Sequence, residues 1–300
     1  MRFSIIIPTY NRARLVAETV KSGLRMDYPD FEVIVVDDES TDDTESVLTA
    51  IHDPRFSYYR KKNGERAAAR NFGAGKATGD YLNFFDSDDI LLPNHLREAR
   101  NAIEKFGNPE VFGVGFRIEN SAGVHFRTIN NLPDPANQIF LSGNPLGCNS
   151  VFVRRDIFEK FPFKEDRALA GSEDILLWLQ LASRFPFRYW PSVTSIHYDH
   201  DSRSVYGFDE KKLTERNNIL LRYLEADPGF MASYGKYLGR IRAQRHIYTA
   251  VHLAVSGYHF LPLKYLTLAA RSSVRGFFHA GTAGTLKQVL LGFFRRYRPG

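Results

Sequence analysis

Residues 31–48 read FEVIVVDDESTDDTESVL. Phe31 to Val36 is almost continuously apolar, the pattern of a strand buried on both faces of a parallel sheet. The run ends at Asp37-Asp38. Ser40 or Thr41 then offers a cap for a helix with Asp42 and Asp43 in its first turn, where acids are favourable, and with Val47, Leu48 and Ile51 facing inward. A buried strand that ends in acids and turns into a helix is one βα unit, and the same unit recurs on either side. Phe3 to Ile7 is a strand stopped by Pro8, and Asn11 is placed to cap a helix carrying Leu15, Val20 and Leu24 inward. Phe56 to Tyr59 is a third strand, Ala67 to Ala77 an Ala-rich helix, and Tyr81 to Phe85 a fourth strand. Strand starts near 3, 31, 56 and 81 predict an α/β fold with a doubly wound, mostly parallel sheet.

Beyond residue 107 the alternation loosens. Strands are expected at 111–118, 124–128, 151–153 and 187–198, a loop at 130–138 and a strong helix at 172–185. From about 210 helical signals dominate, broken at Asp227-Pro228-Gly229, Gly257 and Pro262. The expected division is 1–106 and 107–209 as two halves of one domain, followed by a helical C-terminal region at 210–300.

With 43% hydrophobic and 25% charged residues, the chain can bury a sizeable core and is not of the disordered class. The single cysteine, Cys148, excludes an internal disulfide framework and reads as a small buried side chain in a reducing compartment. MRFSIIIPTYNR does not read as a secretory leader, because Pro8 ends the apolar run too early. HIYTAVHLAVSGYHFLPL (246–263) is the strongest candidate for a membrane span, yet three histidines, Gly257 and Pro262 argue against a crossing. A cytoplasmic protein is therefore expected. The net charge of +6 is unevenly spread: residues 211–300 hold fifteen Lys or Arg against three acids, twelve net positive charges, which leaves six net negative charges on the first 210. Basic residues interleaved with Phe, Tyr and Leu, ending in FFRRYR (293–298), fit attachment to the inner, anionic face of a membrane through 210–300. Helices packed on the body with a cationic outer face fit equally, whereas no nucleic-acid-binding motif accompanies the charge.

Ligands of open α/β sheets bind outside the carboxyl ends of the strands. Two acidic groups fall there, Asp37-Asp38 and Asp86-Ser87-Asp88-Asp89. Turn chemistry alone explains the first pair as well as function does. Three carboxylates within four residues repel one another and call for compensation. Hard carboxylate oxygens select Mg²⁺ or Mn²⁺, and Mg²⁺ completes its shell with waters and substrate phosphates, so a phosphate-bearing substrate is expected. No GxxxxGK[ST] loop is present, which excludes a P-loop NTPase.

SIIIPTYNR (4–12), VIVVDDESTDDT (33–44), NGERAAARNFGAGKATGDYLNFFDSDD (63–89) and GSEDILLW (171–178) occur in the order seen in family 2 glycosyltransferases. The chain resembles these inverting enzymes of the GT-A fold over roughly residues 3–205. The resemblance implies a nucleotide-sugar donor, most simply UDP-linked, and a glycan or lipid-linked acceptor. It places the nucleotide base against Pro8, Thr9, Tyr10, Asn11 and Asp38, with Asp86 towards the ribose and Asp88 on the metal. Asn63 and Arg70 match a further segment of the same site, where a solvated helix cation reads Arg70 equally well. Glu173-Asp174 corresponds to an element whose Asp serves as catalytic base, and Ser172-Glu173-Asp174 is also a good helix start. Both readings can hold together. His200 falls where the family often has a His at the metal or phosphate, although Asp199 replaces the usual basic residue. Glu39 and Glu65 stand where Gly is common, so a positive φ at either predicts local strain. A sugar-nucleotide-binding protein without catalysis, or a Mg²⁺-dependent phospho-receiver, are the competing classes. The receiver explains Asp37-Asp38 and leaves GSEDILLW unexplained.

Overall fold

The computed structural model describes residues 1–120, 123–199, 209–258 and 260–278. The first part runs β1 (Phe3–Thr9), α1 (Ala13–Leu24), β2 (Phe31–Asp37), α2 (Thr44–Thr49), β3 (Phe56–Arg60), α3 (Glu65–Ala74), β4 (Tyr81–Phe84), β5 (Ile90–Leu91) and α4 (His95–Phe106). Then come β6 (Val111–Asn120), β7 (His125–Ile129), β8 (Val151–Arg154), α5 (Arg155–Phe158), α6 (Glu173–Ala182) and β9 (Phe187–Asp199). The last helices are α7 (Glu210–Glu225), α8 (Pro228–Tyr234), α9 (Leu238–Val255), α10 (Leu261–Ser272) and α11 (Val274–Phe277).

The strands make one sheet in the order β3-β2-β1-β4-β8-β6-β9-β5, with β7 paired to the C-terminal half of β6. The first four strands are mutually parallel, as their apolar runs predict. β8 enters antiparallel to β4, and β6 and β9 run parallel to each other beyond it. Side chains alternate between the faces with the strand period of two. Ile5, Ile7, Val33 and Val35 pack against α1 and α4, whereas Ile6, Ile34, Val36 and Phe84 pack towards α3 and α6. Two cores on one sheet leave its carboxyl edge free for a ligand. In register, Thr9 lies opposite Asp37, Ile6 opposite Phe84, and the Phe85 amide donates to the Ile6 carbonyl. Both acidic groups therefore leave the sheet beside Thr9.

Several local expectations resolve differently. Asn11 does not cap α1; it sits at φ 50° and its Oδ1 accepts from the Thr41 amide at 2.7 Å, while Ser40 Oγ accepts from the Asn11 amide at 2.8 Å. These polar side chains lace the β1–α1 and β2–α2 loops together instead of capping helices, and Asp42 takes the Thr44 amide at 3.1 Å. The Ser172 hydroxyl, at the start of α6, likewise makes no cap bond. Glu39 and Glu65 both adopt φ 72°, so the glycine-like backbone is kept at both positions despite the Cβ. Left-handed backbone at a residue with a Cβ costs about 1–3 kcal/mol, so these two turns store strain at the site. Cys148 is buried and unpaired. No helix among the described residues is long and apolar enough to cross a membrane. The C-terminal helices do not stand apart from the sheet, since α9 packs on α10, α7 and the turn at Ile139–Ser142.

Candidate active site

A cavity of about 700 Å³ opens at the carboxyl edge of the sheet. Pro8, Thr9, Tyr10, Asp38, Asn63, Arg70, Asp86, Asp88, Glu173 and Asp174 all line it, whereas Asn11, also expected beside the nucleotide base, is bonded to Ser40 and Thr41 and does not line it. His200, expected at the metal, lies outside the described residues.

The wall built by β1 and β2 carries the segment PTYN. Thr9 is buried, lines the cavity, and its hydroxyl has no hydrogen-bond partner among the described residues. A buried hydroxyl without a partner is costly in an apolar setting and is satisfied when a polar ligand enters. Tyr10 is half exposed beside it, an aromatic face available for stacking. Asp38 is more engaged than its sequence motif shows. Its carboxylate accepts from Lys61 Nζ at 2.8 Å, the Gly64 amide at 2.9 Å and the strained Glu65 amide at 2.8 Å. Asp38 thus anchors the start of α3. One of about four lone-pair positions remains for a base. The Asn63 side chain donates to the Asp38 carbonyl at 3.0 Å, closing the same loop.

Arg70 occupies the centre. It is 2% exposed, and its guanidinium donates to Glu173 at 2.7 Å and to Asp86 at 2.8 Å. The solvated-cation reading of Arg70 is therefore excluded. Burial pushes both carboxyls up, but Arg70 and Arg66 outweigh it and hold each below its ordinary value. Glu173 also accepts from the Gly171 amide at 2.6 Å, which leaves it bound to the protein on both oxygens. Asp88 pairs with Arg12. Asp89 is buried and accepts from the Tyr198 amide at 2.7 Å and from Asn149, tying the end of β9 to the acidic loop. The three acids are thus unequal: Asp86 and Asp88 face the cavity, and Asp89 is framework.

Asp174, the second residue of α6, accepts from Asn144 Nδ2 at 2.7 Å and from the Ile175 amide at 2.7 Å. Burial and the neighbouring charge of Glu173 push it up to about 6, with Arg70 opposing. A carboxylate tuned towards neutrality is suited to accept a proton near physiological pH. The Cys148 thiol beside it is driven up by burial, so it is no nucleophile at neutral pH.

Arg12, Arg66, Ser87, Gly171 and Ser172 also line the cavity, from within the four segments that carry the family resemblance, although the sequence assigns them no site role. Asn144 lies in a stretch without recognisable signals. Gln244, Arg245, Tyr248 and His252 come from α9, which forms the far wall of the cavity. Their spacing of three to four residues on one helix face marks a common surface without identifying what it faces.

The family profile described as Glycosyl transferase family 2 matches residues 4–161. The putative colanic acid biosynthesis glycosyl transferase WcaA of Escherichia coli K12 is 41% identical over 219 residues, which cover 69% of this chain and 76% of WcaA. WfgD of E. coli, named a UDP-Glc:alpha-D-GlcNAc-diphosphoundecaprenol beta-1,3-glucosyltransferase, is 28% identical over 185 residues, 59% of this chain and 68% of that protein. Several Rickettsia relatives are longer, and the matched region spans about a third of their length (30%, 36% and 26% in three of them). Among solved structures, S. aureus TarS 1-349 in complex with UDP-GlcNAc superposes with a TM-score of 0.70 over 99% of this chain and 93% of that one, at 18% identity. That likeness establishes the GT-A-type fold, including the helical C-terminal part.

Proposed function

Because the chain belongs to glycosyl transferase family 2, we propose that it transfers a sugar with inversion from a UDP-linked donor to a hydroxyl of a glycan or lipid-linked acceptor. The observation that carries this reading is Asp174, a carboxyl pushed up to about 6, in the same cavity as Asp86 and Asp88. The partnerless Thr9 hydroxyl, Tyr10, Asp38 and Asn63 support the nucleotide side, with Pro8, which lies within β1 instead of ending it, lining the cavity beside them and Asp86 towards the ribose. The UDP-GlcNAc in the TarS complex and the UDP-Glc in the name of WfgD favour UDP.

Asp174 takes the proton of the acceptor hydroxyl as that oxygen bonds to the anomeric carbon. The bond from that carbon to the diphosphate breaks on the opposite side, and its electron pair leaves with the nucleotide. Glu173 contributes by fixing Arg70 and by raising Asp174. Among the described residues there is no cluster of three or more His, Cys, Asp or Glu able to hold a metal. That fits an ion held by one or two carboxylates and completed by phosphate and water, and Asp88, with Asp86 beside it, has the hard oxygen donors for Mg²⁺ or Mn²⁺. When bound, such an ion offsets charge on the departing diphosphate. Arg12, now on Asp88, is placed to turn to the same phosphates.

The test is incubation with UDP-Glc, UDP-GlcNAc and GDP-Man, each with Mn²⁺ and no acceptor, following nucleotide release. Slow release from a UDP-sugar, with water as acceptor, is expected. Binding without release identifies a non-catalytic binder, and neither binding nor release defeats the reading.

A lipid-linked acceptor would be met at a membrane surface. Val255, Tyr258, Phe260 and Leu263 are exposed around the turn from α9 to α10, one helical turn beyond His252 in the cavity wall, with Lys264 beside them. Exposed apolar side chains next to cations are the composition of an interfacial anchor. The protein is expected to sediment with phosphatidylglycerol vesicles, and Phe260→Ser with Leu263→Ser to lose most of that binding. Equal sedimentation of the double variant would place any membrane contact elsewhere.

A further inference from the structure

We infer that Arg245 forms an oxyanion subsite for the acceptor, recognising a phosphate or carboxylate carried close to the hydroxyl that receives the sugar. The site nearest the proposed base is the reason. Arg245 projects from α9 into the cavity wall and is 7% exposed. Its Nη2 donates to Ser172 Oγ at 3.0 Å and its Nε to Asn217 Oδ1 at 2.7 Å, and it lies 4.2 Å from the ring centroid of Tyr248. All of these partners are neutral. Among the described residues no ion pair engages Arg245, in contrast to Arg12, Arg66 and Arg70, each paired with a carboxylate of the same cavity. Burial pushes Arg245 below the usual guanidinium range and the buried Arg216 adds to that, with Tyr248 and the Asp174 carboxylate opposing without outweighing them.

A buried cation bonded only to neutral groups is expensive, and the protein's remedy is a partner supplied by itself or by a ligand. Here the groups bonded to Arg245 are dipoles on a cavity wall, and the carboxylate that opposes its burial is the proposed base, Asp174. Ser172 stands two residues before Asp174 at the start of α6, so an anion on Arg245 lies beside the hydroxyl that Asp174 deprotonates. The donor phosphates are read against Arg12, Asp86 and Asp88, which follow β1 and β4, whereas Arg245 is carried by α9. An acceptor sugar bearing a phosphate or a carboxylate fits this arrangement. Arg, with its planar fork, is the side chain suited to either oxyanion.

The inference rests on the transferase reading for the role of Asp174, and the experiment separates the two. Calorimetry first measures UDP binding, then titrates inorganic phosphate and, separately, glucuronate into the protein saturated with UDP and Mg²⁺. Wild-type protein is expected to bind at least one of them. Arg245→Gln is expected to weaken that binding tenfold or more, and Arg245→Lys to recover part of it, with UDP affinity unchanged in both. Preference for phosphate identifies a phosphorylated acceptor, and preference for glucuronate an acidic sugar. Should Arg245→Gln fail to fold, Gln244→Glu, on the same wall and half-buried, introduces a competing carboxylate and is expected to weaken the anion tenfold. Anions that bind neither protein, or that bind wild type and variants alike, overturn the subsite. Loss of UDP binding by wild type defeats the donor reading alone, and the same anion titrations without UDP still decide the subsite.

Discussion

Asp174→Asn is expected to lower donor turnover by about 10²–10⁴-fold, the usual contribution of a positioned general base, while UDP affinity stays within a few-fold of wild type. The asparagine oxygen can still accept from Asn144 Nδ2, so the local hydrogen bonding survives and the loss reports on the proton acceptor. A second measurement carries the sign. A base must be deprotonated to act, so a carboxyl pushed up to about 6 gives a wild-type rate that is flat above pH 7 and falls about tenfold per unit below pH 6. The residual activity of the asparagine variant should lack that acid limb. Turnover by the variant close to wild type, or an unchanged acid limb, would remove Asp174 from the mechanism.

What could be read in the chain divides by the range of the interaction. The parallel strands announce themselves locally, because Ile5-Ile6-Ile7 and Val33 to Val36 must be apolar on both faces whatever packs on them. Register then brings Thr9, Asp38 and Asp86 together without further information. The strain at Glu39 and Glu65 was also legible, since residues with a Cβ occupy positions that call for glycine. Partners were not. Asn11 and Ser40 have the residue types of helix caps, yet they bond to each other's loops, because a polar side chain's hydrogen bonds depend on what lies across the gap. Arg70 could be read equally well as a site residue or a solvated helix cation, because the carboxylate it meets, Glu173, is 103 residues away. The wall formed by α9 was hidden for the same reason: its face pattern records that it packs, and only the fold decides that it shares a cavity with the acids that follow β2 and β4.

Arg70→Met is expected to be the most destabilising single change at the site, by about 3–5 kcal/mol, the usual cost of removing one partner from a buried ion pair. Methionine keeps an unbranched apolar stem in place of arginine's and lacks the guanidinium, so the effect reports mainly on the lost cation. The loss comes from Glu173, 2% exposed, which retains the Gly171 amide and the Arg66 guanidinium 3.9 Å away and loses the guanidinium that donates to it at 2.7 Å. Asp86 contributes less, because its side chain is 38% exposed to the cavity and water can replace Arg70 there. Arg70→Lys should recover only part, since one ammonium cannot reproduce a fork that reaches Glu173 and Asp86 from two different nitrogens. The pH dependence gives an internal control. Both carboxyls are held below their ordinary values of 3.8 and 4.5, so the stability they confer is complete above that range and is lost as pH falls through their lowered folded values. Urea unfolding of wild type and variant should therefore differ most at neutral pH and converge on acidification. A neutral-pH difference under about 1 kcal/mol, far below the cost of leaving a buried carboxylate unpaired, would show that solvent reaches Glu173 and that Arg70 is not the keystone of the acidic cluster.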